Sequence, residues 1–100
     1  HGQSGKNGII EVDLHIDSLL DDTHGMSNSE ILNYQLDKFR EVIEANKEKR
    51  EQKIVFIHGK GDGVLRKAII DELKRKYNNC RYQDASFQEY GFGATMVTIK

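Results

Sequence analysis

The chain has 100 residues, of which 37% are hydrophobic and 31% charged, a balance typical of one soluble globular domain with a modest core. This composition excludes a wholly disordered chain, and no apolar run approaches the roughly 18 residues that a membrane span requires. No charged-then-apolar leader opens the sequence, and its one cysteine, Cys80, cannot form an internal disulfide, so we expect a cytoplasmic protein in which Cys80 is buried.

The net charge of −1 is distributed unevenly along the chain. Residues 1–45 hold nine acids and three bases (net −6), whereas residues 46–100 hold seven acids and twelve bases (net +5). This asymmetry favours an anionic ligand on the C-terminal half. The alternative is that the basic run at residues 74–76 only solvates a helix end and offsets the helix dipole.

The glycine-rich opening, residues 1–8, is predicted to be a linker or a leftover of expression, and the domain is predicted to span residues 9–100. The stretch IIEVDLHID at residues 9–17 alternates apolar and polar residues, which predicts a strand with one buried face. Residues 18–26 are predicted to form a loop.

A helix is predicted from residue 28 to about residue 49. Ser27 and Glu30 match a capping box, and an apolar stripe follows at helical spacing: Leu32, Leu36, Phe39 and Ile43. The run KIVFI at residues 53–57 lacks alternation, which predicts a strand buried on both faces, as in the centre of a parallel sheet.

The second half of the chain is predicted to add a helix from Leu65 to about Tyr77, a strand at 80–87, a turn and a last strand at 94–100. The last strand places Thr95, Val97 and Ile99 on one face. Right-handed crossovers make the first two strands parallel, and the short final connection makes the last pair antiparallel. The sequence therefore predicts an α/β fold, a two-layer βαβαββ sandwich with a mixed four-stranded sheet and both helices on one face.

The loop HGKGDG at residues 58–63 lies where a strand ends and a helix begins, a place that favours an anion such as phosphate. Its glycines permit close backbone approach, and cations stand nearby, so the predicted phosphate-binding residues are Gly59, Lys60, Gly61, Gly63, Arg66 and Lys67. The loop matches neither a Walker loop nor a dinucleotide fingerprint. The alternative is that a tight strand-to-helix turn requires glycines without any ligand.

Three polar residues are predicted to meet at one rim of the sheet. Asp13 and His15 lie near the end of the first strand and His58 follows the second, and parallel neighbours end at the same edge. A carboxylate-oriented imidazole near neutrality, with arginine close by, is suited to phosphodiester cleavage. A divalent ion such as Mg²⁺ or Mn²⁺ held by these residues and Asp17 is the second interpretation, and surface or hydrogen-bonded histidines without catalytic function are the third.

Three stretches together resemble the small MutS-related (Smr) domain family. VDLH at residues 12–15 is similar to its first motif, HGKG at 58–61 followed by Leu65 and Arg66 to its second, and YGFGATMV at 90–97 to its closing motif. The resemblance covers about residues 9–100. It implies a two-layer α/β fold and the binding or nicking of DNA or RNA, often as the C-terminal domain of a longer bacterial protein with intramolecular partner domains. Asp13 and His15 would be its first-motif functional residues.

The sequence departs from the family pattern after His15, where Ile16 stands in place of a glycine. A second matching piece, HGMS at residues 24–27, follows nine residues later, so His15 and His24 are alternative motif histidines. The stretch from Ile16 to His24 is interpreted as an insertion beside the rim.

Two further functions compete with nucleic-acid binding. The chain's pI of about 6.5 and its acidic first helix favour a non-catalytic protein-interaction module, because DNA-binding domains are often strongly basic. A small nucleotide or other phosphate ligand at the glycine loop ranks below both. Tyr90 and Phe92 are the only candidates for stacking against single-stranded bases, or they pack within a turn.

Overall fold

The structure is a computed structural model that describes residues 8–59, 63–85, 88 and 93–100, apart from the side chain of Ser18. Its strands are β1 (Ile9–Asp13), β2 (Lys53–Ile57), β3 (Cys80–Asp84) and β4 (Ala94–Ile99). Its helices are a short α1 (Ile16–Leu19) and two long ones, α2 (Asn28–Asn46) and α3 (Val64–Lys76). None of the described helices combines the length and apolar character that crossing a membrane requires.

The strands form one mixed sheet in the order β1-β2-β4-β3. β1 and β2 are parallel, whereas β4 is antiparallel to both β2 and β3. The predicted βαβαββ order and mixed four-stranded sheet are thus confirmed. β2 is buried on both faces as predicted, but it lies between one parallel and one antiparallel neighbour, because the chain returns from β3 by a short connection.

The hydrophobic core lies between the sheet and the two long helices. Phe39 of α2 and Phe56 of β2 meet edge to face with ring centroids 4.8 Å apart. One buried cluster joins residues of both long helices to the same face of the sheet: Leu36, Phe39, Ile43, Leu65, Ile69, Leu73, Ile54, Phe56, Val97 and Ile99. The prediction that both helices cover one face is therefore confirmed.

The first strand ends four residues earlier than predicted. Asp13 is its last residue, and the Asp13 side chain accepts a hydrogen bond from the backbone N–H of His15 at 2.9 Å. This local turn ends the strand, because a side chain that binds the backbone two residues on bends the chain out of the extended conformation. His15 then caps α1, so Ile16 and Asp17 lie in a helix and the prediction of a strand to residue 17 was wrong.

Other boundaries follow the predictions more closely. Ser27 and Glu30 form the predicted capping box at the start of α2. That helix ends at Asn46, three residues early, where the Asn46 side chain donates to the carbonyl oxygen of Val42. Strand β3 ends at Asp84, and the predicted extension includes residues 86 and 87, which lie outside the described residues.

The predicted side-chain positions in the last two strands are confirmed. Thr95, Val97 and Ile99 of β4 are at most 1% exposed, and they share the inward face as the alternation predicted. Cys80 at the start of β3 is buried, and burial raises the pKa of its thiol.

A buried ion pair joins the two long helices. The Arg40 guanidinium of α2 donates to both carboxylate oxygens of Glu72 in α3, from Nε at 2.9 Å and Nη2 at 3.2 Å. Glu72 is only 5% exposed, and its hydrogen bonds from Arg40 hold the pKa of the carboxyl below its usual value. Because sequence patterns treat both residues as surface charges, this contact was not predicted.

Candidate active site

The carboxyl ends of β1 and β2 lie side by side. Asp13 pairs with Ile57 in the parallel register, and the N–H of Leu14 donates to the carbonyl oxygen of Ile57 at 2.8 Å. The chain segments that follow, at His15 and at His58, therefore leave the sheet at the same edge. The structure brings the three predicted rim residues to this edge.

Asp13 and His15 form a hydrogen-bonded pair on the surface. His15 Nδ1 lies 2.7 Å from Asp13 Oδ1, and both side chains are about half exposed. Since the same oxygen also accepts from the His15 backbone N–H, the imidazole is held at both its ring and its backbone. A carboxylate at Nδ1 favours the tautomer with a proton there, which leaves Nε2 with a lone pair.

The Nε2 edge of His15 packs on the backbone of Gly59, the first glycine of the predicted phosphate loop. A Cβ added to Gly59 would lie 2.8 Å from His15 Nε2. Gly59 also has a φ of +86°, in the left-handed region that a residue with a side chain seldom adopts. Two separate reasons thus favour glycine at position 59: its backbone conformation, and the lack of space for a Cβ beside the His15 ring.

His58 is buried and fully hydrogen-bonded. Its Nδ1 lies 3.0 Å from the Gly59 carbonyl oxygen, which only accepts, so Nδ1 carries the proton. Its Nε2, 2.9 Å from Thr95 Oγ1, then accepts from that hydroxyl. Burial holds the pKa of His58 below its usual value, and nearby Arg66 adds to this effect. Its predicted catalytic role stays a prediction.

The closing strand β4 and the residue just before it supply two contacts that sequence reasoning missed. The carbonyl oxygen of Gly93 accepts from the backbone N–H groups of both His58 and Gly59, at 2.8 and 2.9 Å. Thr95 holds the His58 ring from the same strand. The signal was present in the stretch GAT at residues 93–95: Gly93 was noted only within the motif at residues 90–97, and Thr95 within that motif and on one face of the last strand.

The predicted phosphate-binding residues are only partly described. Lys60 and Gly61 lie outside the described residues, as do the stacking candidates Tyr90 and Phe92. Gly63 adopts a left-handed conformation, with a φ of +82°, and caps α3 without a side-chain hydrogen bond.

The two described cations stand in the first turn of α3. Arg66 donates from Nη2 to Asp84 at 2.7 Å, with the Arg66 side chain 43% and the Asp84 side chain 72% exposed, and Lys67 is exposed. Since an exposed ion pair is weak, the Arg66–Asp84 contact leaves the guanidinium available to a stronger anion.

The metal interpretation gains no geometric support among the described residues. Asp17 lies in α1 and not on β1, and the described part of the chain contains no group of three or more histidine, cysteine, aspartate or glutamate side chains arranged for a metal ion. Asp13 and His15 alone supply two adjacent donors.

Comparison with known proteins agrees with this geometry. The Smr domain family matches residues 21–100, which include β2, the glycine loop, α3 and the closing strand. The chain belongs to the Smr domain family. The matched part of this Smr domain contains His24 but begins after His15, so β1 and the Asp13–His15 pair stand outside it.

Relatives of this Smr domain are much longer proteins described as Endonuclease MutS2. The one from Clostridium tetani is 37% identical over 81 residues, which cover 79% of this chain and 10% of the relative. The Finegoldia magna protein is 39% identical over 69 residues (67% and 8%), and that of Clostridium beijerinckii 49% over 47 residues (47% and 6%). The chain thus spans at most a tenth of the length of these curated relatives.

The Gly59→Ala variant is expected to lose about 1–2 kcal/mol of stability from its left-handed backbone and to displace the His15 ring. Gly25→Ala is the matched control, because Gly25 has the same φ of +86° but no atom within 4 Å of an added Cβ. Thermal unfolding measures the loss of stability, and NMR chemical shifts of the His15 ring report its displacement. Equal ring shifts in the two variants would contradict the contact.

Proposed function

We propose that this Smr domain binds nucleic acid and cleaves phosphodiester bonds with His15 as the proton acceptor. The observation that carries the proposal is the half-exposed Asp13–His15 pair. The Nε2 edge of the imidazole, which Asp13 does not bind, lies beside Gly59 at the start of the glycine loop. The family and the relatives' description as endonucleases support nucleic-acid cleavage, whereas the choice of His15 rests on the geometry, because the family match begins at residue 21.

The proposed reaction begins with His15. Its Nε2 takes the proton from the attacking oxygen, either water or a ribose 2′-hydroxyl, while Asp13 stabilises the imidazolium that forms. The oxygen bonds to phosphorus as the bond to the departing ester oxygen breaks, and that oxygen takes a proton from solvent. Arg66 and Lys67 stand nearby to stabilise the charge on the phosphate oxygens.

In this proposal His58 acts through Gly59 and not on the substrate. Its two ring nitrogens bind Thr95 and the Gly59 carbonyl oxygen, and its backbone N–H binds Gly93. These contacts hold the peptide on which His15 rests. Proton exchange between His58 and a substrate is disfavoured because the ring is buried and both of its nitrogens already bind protein partners.

We also propose that the domain is part of a longer bacterial protein, in which it supplies a nuclease site that acts together with partner domains of the same chain. Support comes from the relatives, in which the matched region is at most a tenth of the whole. The test is a cleavage assay of the purified domain on supercoiled plasmid and on labelled RNA. Each substrate is assayed with Mg²⁺, with Mn²⁺ and with a chelator, which identifies both the substrate that is cleaved and the metal requirement. The absence of cleavage under every condition would overturn the catalytic part.

Binding is expected to weaken with salt through Arg66 and Lys67. Each alanine substitution should lower the log–log salt slope by roughly 0.7–0.9, the contribution of one phosphate contact. Lys74→Ala is the matched control, since Lys74 is an exposed base in the last turn of the same helix. Fluorescence anisotropy with single- and double-stranded oligonucleotides at several salt concentrations measures the slopes. A slope that falls equally in all three variants would contradict a phosphate site at the helix start.

A further inference from the structure

A groove of about 700 Å³ runs between the edge strand β1, α1 and α2. Four apolar or aromatic side chains line it: Val12, Leu19, Tyr34 and Val42. Val12 and Val42 also pack against the main core, whereas Tyr34 is 41% exposed. The groove therefore offers apolar surface continuous with the core, together with one large aromatic ring at its opening.

The charged lining of the groove is strongly one-sided. Its acids are Glu11, Asp13, Asp37 and Glu41, and its one base is Lys38. Asp13 binds His15 at 2.7 Å in the candidate active site. On α2, Asp37 binds Arg40 at 2.9 Å, and Glu41 lies 3.8 Å from Lys38. Both carboxylates are more than two-thirds exposed, so these ion pairs are weak and exchangeable.

We propose that this groove docks a basic peptide segment whose apolar side chains fill the space beside Tyr34 while flanking lysines or arginines meet the acidic rim. The reason for choosing a basic peptide is the charge complementarity between its lysines or arginines and the acidic lining of the groove. With four acids and one base, the lining repels a nucleic-acid backbone and offers a neutral apolar ligand no electrostatic attraction. Asp13 lines the groove and also belongs to the proposed catalytic pair with His15, so the test uses variants on the α2 side of the groove, which lie outside that pair.

The test is fluorescence anisotropy with a labelled nine-residue peptide that alternates lysine and valine around a central phenylalanine. Its partner peptide carries glutamate at every lysine position. Two protein variants change the groove: Glu41→Lys reverses a charge on its acidic rim, and Tyr34→Ser removes its aromatic ring. The control is Asp71→Lys, a matched charge reversal at an exposed position of α3 that does not line the groove.

The lysine peptide should bind, and Glu41→Lys and Tyr34→Ser should each weaken it about tenfold, whereas Asp71→Lys changes affinity less than about twofold. Backbone NMR shifts on peptide addition should concentrate at Leu19, Tyr34 and Val42. Equal binding of the glutamate peptide, equal weakening in all three variants, or displacement of the peptide by an oligonucleotide would overturn the proposal. So would sedimentation that shows a dimer broken by Glu41→Lys, because the occupant would then be a second copy.

Discussion

His15→Ala is expected to lower the rate of phosphodiester cleavage by about 100- to 10,000-fold, the usual contribution of a positioned general base. The physical reason is that His15 is the exposed imidazole of the site, with Nδ1 held by Asp13 at 2.7 Å and Nε2 against Gly59. The measurement is the initial rate of plasmid nicking or RNA cleavage, with binding measured separately by anisotropy. Affinity should change little, since the proposed phosphate contacts lie at Arg66 and Lys67.

His24→Ala is the matched control for this prediction. The family match includes His24, so sequence comparison alone favours it as the motif histidine. In the structure its backbone N–H binds the Asp22 carboxylate at 2.8 Å in the turn before α2, and its side chain is exposed. A loss of rate in His24→Ala with normal cleavage by His15→Ala would transfer the catalytic role and refute the proposed dyad.

Arg40→Met is expected to destabilise the fold by about 2 kcal/mol, because it leaves the buried Glu72 carboxylate without its bidentate donor. The loss should be below that of a fully buried pair, since Arg40 is one-third exposed and Arg75 and Lys76 remain within 4 Å of Glu72. Thermal unfolding should then begin roughly 8–16 °C lower for a domain of this size.

The control for Arg40→Met is Lys38→Met on the same helix, whose exposed pair with Glu41 should contribute less than about 1 kcal/mol. The double variant Arg40→Met with Glu72→Gln should recover part of the loss, because the unpaired buried charge is then removed. Equal stability of Arg40→Met and the native protein in chemical denaturation would show that the pair does not stabilise the helix contact.

The same pair predicts an acid dependence of stability. The folded-state pKa of Glu72 is lower than its usual value of 4.5, so its stabilising contribution is complete above that pH and disappears as the pH falls through the lower folded value. His58 acts in the same direction at higher pH: its pKa is also lowered by burial, so stability declines as the pH drops below about 6.5. Unfolding curves measured at a series of pH values should show a loss of stability from His58 below about pH 6.5 and a further loss from Glu72 at lower pH. The Glu72→Gln variant should lack only the loss at lower pH.

Much of the architecture could be predicted from local patterns. The stripe at Leu36, Phe39 and Ile43 required a helix with one buried face, and Ser27 with Glu30 specified where it begins. The parallel pairing of the first two strands followed from the helix between them, since a crossover of that length returns the chain in the same direction. That pairing was enough to predict that Asp13, His15 and His58 share one edge.

Only the tertiary structure decided which partner each polar group binds, both near in the chain and far along it. Alternation predicted a strand through Asp17, but the Asp13 carboxylate binds the His15 backbone and starts a helix there. The two histidines had looked equivalent, yet Thr95 of β4 binds the ring of His58 and Gly93, just before β4, binds its backbone N–H. His58 is buried as a result, while His15 stays exposed. Periodicity records which face of an element is apolar, whereas the partner of each polar group is chosen when separate elements pack together.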